Sequence, residues 1–239
     1  MVLTTGCATK IAVGGAIALI AAGPTAAPAQ ANPPAVVGGG SGIALQTGDP
    51  RLVALCTMTT VGYDRTGQLV GITAGHCAEE AGVRVWAEAT PQAGPIGFVA
   101  IKDVGHDWAV VQLDPERVTP VRQVGPSTVA SIGAPAAAWE TVCKNGRTTG
   151  FTCGVVWDAY PAEFLSQVCA NHGDSGGPVL RGDQLVGMIN AGVSPEGSGE
   201  LACTGPGNPI HEPDVSNQIT AVLAEIDSLG IVGAGFQPL

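Results

Sequence analysis

The hexapeptide Gly173-Asp174-Ser175-Gly176-Gly177-Pro178 is the segment whose residue types and spacing point most directly to chemistry. Its glycines let the protein backbone approach a substrate closely and leave the Ser175 hydroxyl unshielded. A serine hydroxyl is a poor nucleophile at neutral pH, so it needs a base within hydrogen-bond reach and a third group that orients this base. Ser175 is therefore the candidate nucleophile.

Two other segments supply candidates for the base and for the orienting group. His76 lies in Thr73-Ala74-Gly75-His76-Cys77, beside a cysteine whose crosslink would fix the backbone of the imidazole. Asp107 opens Asp107-Trp108-Ala109-Val110-Val111 and supplies a carboxylate. In this hypothesis His76 takes the serine proton and Asp107 fixes its tautomer. We then expect hydrolysis to rise with pH through roughly 6.5 to 7, where an imidazole loses its proton.

The elements that must position these residues are short β-type runs separated by turn residues every eight to twelve positions. This pattern predicts an all-β barrel or sandwich, and the length suits two six-stranded barrels. One helical pattern occurs, at 215–229, with Ser216 as its cap and Gly230 as its stop. The predicted strands cover 52–60, 68–73, 83–89, 96–101, 108–113, 148–157, 178–180 and 184–190.

Composition excludes several functional classes. The 239 residues include 35 Gly and 18 Pro, which disfavours long helices, and the 45% of hydrophobic residues are enough for a sizeable core. A formal charge of −10 argues against nucleic acid as the partner. Because no phosphate loop, cofactor fingerprint or metal-ligand cluster is evident, we predict no cofactor and no metal.

The N-terminal region has the pattern of an export signal. Lys10 precedes an apolar run at 11–22, and Ala29-Gln30-Ala31 offers small residues for cleavage, so we expect a signal peptide at 1–31. A membrane anchor is the weaker alternative, because the run is short and Gly23-Pro24 interrupts it. We expect a secreted monomer with a flexible Pro- and Gly-rich leader or very short pro-segment at 32–45 and a folded domain at 46–239. Removal of Cys7 leaves six cysteines, which favours disulfides.

Three motifs together resemble the chymotrypsin-like serine proteases. Thr-Ala-Gly-His-Cys around His76, Asp-Trp-Ala-Val around Asp107 and Gly-Asp-Ser-Gly-Gly-Pro around Ser175 occur in the family's order. The segment from Cys143 to Gly150 and the position of Cys169 are similar to the bacterial streptogrisin and α-lytic protease branch. The resemblance implies two perpendicular β-barrels, with peptide hydrolysis at a cleft between them.

The resemblance also implies roles for other residues. The oxyanion hole would consist of the backbone amides of Gly173 and Ser175, which stabilise the tetrahedral intermediate. Substrate would contact His172, Asn190, Ala191 and Gly192. The implied disulfides are Cys56–Cys77, Cys143–Cys153 and Cys169–Cys203. No Asp stands at Val168 or Cys169, which weakly disfavours a preference for Arg or Lys before the scissile bond.

Asp174 requires a cation, because an unpaired buried carboxylate is costly. In the bacterial branch an arginine just after the equivalent of Cys143 pairs with this aspartate, and here that position is Lys144. We therefore expect a Lys144–Asp174 pair in place of activation by cleavage, with Arg147 as the fallback partner. The resemblance places His211 near the specificity pocket, where it either binds an acidic side chain or is a structural imidazole.

Two other interpretations compete with a protease. Gly173, Ser175 and Gly177 also satisfy the nucleophile elbow of α/β-hydrolases, but that fold alternates strands and helices, and no helical pattern precedes the C-terminus. The second alternative is a catalytically weak or inactive homologue that acts as an extracellular protein-binding module. All three triad residues are present, which argues against it without proving turnover.

Overall fold

The computed structural model describes residues 32–192, 201–205, 207–208 and 210–239. The predicted signal peptide at 1–31 lies outside the described residues. Within them, strands dominate and one α-helix occurs near the C-terminus, so the predicted all-β fold class is confirmed. No helix in these ranges has the length and apolar character needed to cross a membrane.

The strands and the helix are numbered along the chain. They are β1 Ala35–Val37, β2 Gly42–Gln46, β3 Val53–Thr57, β4 Thr60–Tyr63, β5 Leu69–Thr73, β6 Arg84–Ala87, β7 Pro95–Asp103, β8 Trp108–Leu113, β9 Val118–Pro120, β10 Gln123–Val124, β11 Ser127–Thr128, β12 Ser131–Ile132, β13 Thr141–Gly146, β14 Gly150–Ala159, β15 Glu163–Ser166, β16 Pro178–Arg181, β17 Gln184–Gly192, β18 Asp214–Gln218, α1 Ile219–Leu229 and β19 Gln237–Pro238.

The N-terminal half forms an eight-stranded antiparallel sheet in the order β19-β4-β5-β8-β7-β6-β2-β3. Its turn at 64–67 joins β4 to β5, where Gly67 adopts a φ of +81° that other residues rarely tolerate. Successive side chains of a strand point to opposite faces, so β8 contributes side chains to two hydrophobic cores. Ala109 and Val111 pack inside the sheet, whereas Trp108 and Val110 pack with α1 and the C-terminal strands. This double burial fixes the chain immediately after Asp107.

The C-terminal half closes into a barrel. Its sheet runs in the order β12-β17-β16-β13-β14-β15-β18, and a further pairing of β17 with β18 joins six of these strands into a ring. Inward-facing apolar side chains such as Val142, Phe164 and Val186 fill the barrel and are fully buried. The hexapeptide that contains Ser175 lies directly before β16.

The prediction of a flexible leader at 32–45 is wrong. Strand β1 pairs in parallel with β9, and β2 pairs with both β3 and β6. Val37 and Ile43 are fully buried. The segment contains two short runs in which buried and more exposed residues alternate, and its glycines and prolines make these runs hard to recognise as strands. Each run is stabilised by pairing with a strand distant in sequence.

The predicted helix begins later than expected. Residues 214–218 form β18, and Ser216, the expected cap, is buried within this strand. The Gln218 side chain does not cap the helix; its Oε1 accepts a hydrogen bond from the backbone N–H of Ala136 at 2.8 Å. The end of the helix is as predicted, because Gly230 adopts a left-handed φ of +67°.

Candidate active site

His76 and Asp107 form the best-defined polar contact of the site. His76 lies in a single 3₁₀ turn, Gly75–Cys77, that follows β5. Its Nδ1 lies 2.8 Å from Asp107 Oδ2, and its backbone N–H donates to Asp107 Oδ1 at 2.6 Å. With Nδ1 donating to the carboxylate, Nε2 is the nitrogen left to accept a proton. In this orientation Nε2 is the ring nitrogen that can act as a base.

Asp107 is held in an uncommon backbone conformation. Its φ is +52°, in the left-handed region that Asp tolerates better than most residues. Asn217 of β18 reaches across from the other barrel, and its Nδ2 donates to the backbone oxygens of His106 at 2.8 Å and Asp107 at 3.3 Å. The Oδ1 of Asn217 in turn accepts from Asn190 at 3.2 Å. Residues of both halves of the fold thus position the carboxylate.

The loop that carries Ser175 is bound to the end of β3. The backbone N–H of Thr57 donates to the Ser175 carbonyl at 2.9 Å, and the Thr57 hydroxyl donates to the Gly173 carbonyl at 2.9 Å. Thr59 donates its hydroxyl to the carbonyl of Gly176 at 2.6 Å. Gly173 and Gly176 have φ values of +94° and +82°, which explains why glycine occupies both positions.

The backbone amides of the same loop divide into two sets. The N–H groups of Asp174, Gly176 and Gly177 donate to carbonyls at 2.8–2.9 Å. Among the described residues, no hydrogen-bond acceptor meets the N–H of Gly173 or Ser175. These two amides are the pair expected to form an oxyanion hole, and the loop leaves them available for a ligand.

A fully buried ion pair lies behind this loop. Lys144 Nζ is 3.1 Å from Asp174 Oδ2, and both side chains are 0% exposed. Asp174 Oδ1 also accepts from the backbone N–H of Thr148 at 2.8 Å and of Thr149 at 3.2 Å. The expected Lys144–Asp174 contact is therefore present. The fallback partner Arg147 instead binds Glu88 at 2.6 Å and lowers the pKa of that carboxyl through a hydrogen bond.

Three disulfides join Cys56 to Cys77, Cys143 to Cys153 and Cys169 to Cys203, which are the pairs that the resemblance implied. The first is adjacent to His76. The third connects the segment before Ser175 to the segment before β18. Each therefore restrains backbone close to the candidate site.

A cavity of about 470 Å³ brings the candidate residues together. His76 and Ser175 line it, together with three of the predicted substrate-binding residues, His172, Asn190 and Gly192. The side chain of Ala191 lies outside the described residues. His211 lines a separate depression behind Gln167, and His106 lies on the far side of Asp107, near Glu225.

Two acids in this cavity were not predicted from the sequence. Asp214, the first residue of β18, and Glu212 both line it. Burial is the main cause that raises the pKa of Asp214 to about 7, with Lys144 opposing the shift. The motif-based analysis missed both residues, because neither belongs to one of the three motifs that carry the resemblance.

A two-part β fold, made of an eight-stranded antiparallel sheet and a six-stranded barrel, with a His–Asp pair and a serine at one cavity, is the arrangement of chymotrypsin-like proteins. Comparison with known families agrees. The trypsin family model matches residues 66–208, more than half of the chain, and the chain therefore belongs to the trypsin family.

Individual relatives agree with this family. Streptogrisin-C of Streptomyces griseus is 34% identical over 97 residues, a match that spans 36% of this chain but only 20% of that protein. Protease A of Thermobifida fusca has a similar fold, with a TM-score of 0.63 and 24% identity over 86% of this chain and 99% of its own. A Nocardiopsis protease has a TM-score of 0.62 and 24% identity over 80% and 96% of the two chains.

Proposed function

We propose that the protein is a secreted serine endopeptidase that hydrolyses peptide bonds through an acyl-enzyme intermediate. The observation that carries the proposal is the 2.8 Å contact between His76 and Asp107 beside a cavity that Ser175 also lines. Membership of the trypsin family supports the same reaction class.

The proposed reaction has two half-reactions. In the first, Ser175 Oγ attacks the peptide carbonyl carbon and His76 Nε2 takes the serine proton. The same nitrogen then gives this proton to the amine as the carbon–nitrogen bond breaks, which leaves an ester on Ser175. In the second, water repeats these steps on the ester and releases the acid. Asp107 keeps the imidazole oriented throughout.

Two backbone features support the binding of a substrate. The unengaged amides of Gly173 and Ser175 would donate to the developing oxyanion, and loss of one such donor typically costs about 3–4 kcal/mol of transition-state stabilisation. The pairing of β16 with β17 ends at Pro178 and Met188, whereas β18 follows β17 to Gly192. The remaining edge of 190–192 is suited to pair with an extended substrate backbone.

Secretion is part of the proposal. Three disulfides are typical of proteins that fold in an oxidising environment outside the cytosol. The export pattern at 1–31 indicates the same destination.

A fluorophosphonate probe tests the proposal directly, because it reacts with an activated serine. We expect labelling of the mature protein that is abolished in Ser175→Ala and strongly slowed in His76→Ala. Ser228→Ala is the matched control, since this serine is exposed on α1 and does not line the cavity, so its replacement should not affect labelling. Absent labelling, or labelling unchanged in Ser175→Ala, would favour the protein-binding alternative.

A further inference from the structure

Asp214 is a buried carboxyl group that forms no salt bridge with any of the residues that the structure describes. It is 5% exposed and lies on the wall of the cavity that contains Ser175. Its Oδ2 is shielded from solvent and has no hydrogen-bond partner in the described part of the chain. Buried polar atoms are nearly always paired, so an unpaired carboxylate oxygen in a residue that lines a cavity marks a place where a ligand could supply the partner.

Among the described residues, Lys144 is the cation whose charge acts on Asp214, but its donors are already used. Its ammonium group has three N–H bonds, and these meet three acceptors: Thr149 Oγ1, the Gly150 carbonyl at 2.9 Å and Asp174 Oδ2 at 3.1 Å. Lys144 therefore acts on Asp214 only through space, and its charge is already matched by Asp174.

A second carboxylate lies on the same cavity. Glu212 borders it and approaches Gly192 so closely that a Cβ placed on this glycine would lie 2.4 Å from Glu212 Oε1. Glu212 Oε2 also accepts a hydrogen bond from the backbone N–H of Leu201 at 3.3 Å. The carboxylate is thus held at the wall formed by the end of β17. The described residues that line the cavity thus include two carboxyl groups, Asp214 and Glu212, and neither a lysine nor an arginine.

We propose that this cavity receives a cationic side chain of the substrate, Lys or Arg, at the residue before the scissile bond, with Asp214 as its counter-ion. The proposal rests on the proposed peptidase function and deepens it. An ammonium or guanidinium group donates hydrogen bonds and accepts none, so it matches an unpaired carboxylate oxygen. The absence of an acid at Val168 and Cys169 argued against this preference, but β18 supplies the acid from the opposite side.

Binding of the cation should depend on pH. Burial raises the pKa of Asp214 to about 7, and the charged groups that act on it are Lys144, Asp174 and Glu212. His76 and His172 border the same cavity. A substrate cation favours the ionised carboxylate, so binding below pH 7 must displace a proton from Asp214. An uncharged side chain of the same shape has no such requirement.

Matched peptides that carry arginine or citrulline before the scissile bond test this inference. Citrulline keeps the shape of arginine without its charge, and the ratio of the two kcat/KM values cancels titrations of groups that both reactions share. We expect a ratio of at least about 30 at pH 8, equivalent to about 2 kcal/mol. Below pH 7 the ratio should fall by up to about tenfold per pH unit. It should level off once substrates are bound mainly by the pocket with protonated Asp214.

Three variants identify the residue responsible. Asp214→Asn should bring the ratio within about threefold of one and abolish its pH dependence. Glu212→Gln should lower the ratio less, and Asp183→Asn, an exposed control in the turn between β16 and β17, should leave it unchanged. A wild-type ratio near one, or an unchanged ratio in Asp214→Asn, would overturn the inference while leaving a labelled, active serine intact.

A binding experiment separates this inference from catalysis. Butylguanidinium is titrated by calorimetry into Ser175→Ala and into Ser175→Ala/Asp214→Asn. We expect binding only to the former, with release of nearly one proton at pH 6 and little at pH 8. Absence of binding at 10 mM, or binding that persists without Asp214, would contradict the inference whether or not the fluorophosphonate labels the wild type.

Discussion

Replacement of Lys144 by methionine should destabilise the protein more than any surface change, because it leaves Asp174 buried without its cation. Both side chains are fully inaccessible to solvent. The Met variant keeps the volume of the side chain but removes the charge-assisted bond to Asp174 and the bond to the Gly150 carbonyl. Breaking a buried pair by removing one partner typically costs about 3–5 kcal/mol.

The remaining contacts of Asp174 determine where in this range the loss of unfolding free energy falls. Its carboxylate keeps hydrogen bonds from the backbone amides of Thr148, Thr149 and Asn171 at 2.8–3.2 Å. These bonds stabilise the anion without neutralising it, so we expect a loss of about 3 kcal/mol, toward the lower end. A typical domain is stable by only 5–15 kcal/mol, which makes this loss readily measurable.

Urea unfolding in a Ser175→Ala background, with disulfides intact, measures the effect without self-digestion. The double variant Lys144→Met/Asp174→Asn leaves no unpaired charge. Its loss of unfolding free energy should therefore be smaller, by at least about 1.5 kcal/mol, than the sum of the losses in the two single variants. Arg181→Met is the control, since its pair with Glu140 is partly exposed at 3.0 Å and should be worth at most about 1 kcal/mol. A loss below about 1 kcal/mol in Lys144→Met, or additivity within about 0.5 kcal/mol, would refute this reasoning.

Two further predictions concern β18. The pKa of Asp214 rises from 3.8 to about 7 on folding, so folding favours its protonated form, and the associated stability is present below pH 4 and lost as pH rises through 7. One unit of pKa shift corresponds to about 1.4 kcal/mol. Between pH 4 and pH 8, the unfolding free energy of the wild type should therefore fall by about 2–4 kcal/mol relative to that of Asp214→Asn. A difference between the two proteins that stays constant with pH in urea titrations would contradict this. Asn217→Ala removes the donor to the carbonyls of His106 and Asp107 and should lower kcat roughly tenfold with KM changed less than twofold, whereas the exposed-amide control Gln123→Ala should change neither. An unaltered kcat would show that Asn217 does not position the carboxylate.

The candidate residues of the site could be predicted from the sequence, because each of them lies in a short motif that requires a particular backbone conformation. The positive φ angles of Gly173 and Gly176 and the two alternating faces of β8 are local properties that the motifs reflect. Strand β1 and the start of the helix were misjudged for the opposite reason. Their conformation depends on pairing with strands about 80 or 50 residues away, which no local pattern encodes.

The contacts between the two barrels were equally inaccessible to motif reasoning. Thr57 binds the loop of Ser175, and Asn217 binds the loop of Asp107, each from the opposite half of the fold. Neither residue type is distinctive in the sequence. A polar side chain acquires such a role only when the fold brings an otherwise unpaired carbonyl within its reach.

Charge balance connects the candidate nucleophile loop with the proposed specificity pocket. Lys144 is the buried cation near both sites, and its three donors are committed to the Asp174 side. Asp214 therefore feels an attraction from Lys144 that is too weak to offset its burial, and it holds a proton more tightly than an ordinary carboxyl. A second cation, bound in the cavity beside Asp214, would complete the balance. The same carboxyl group is proposed to cause the pH dependence of stability and the arginine preference. Asp214→Asn should therefore abolish both effects, and loss of only one of them would show that the two effects have different causes.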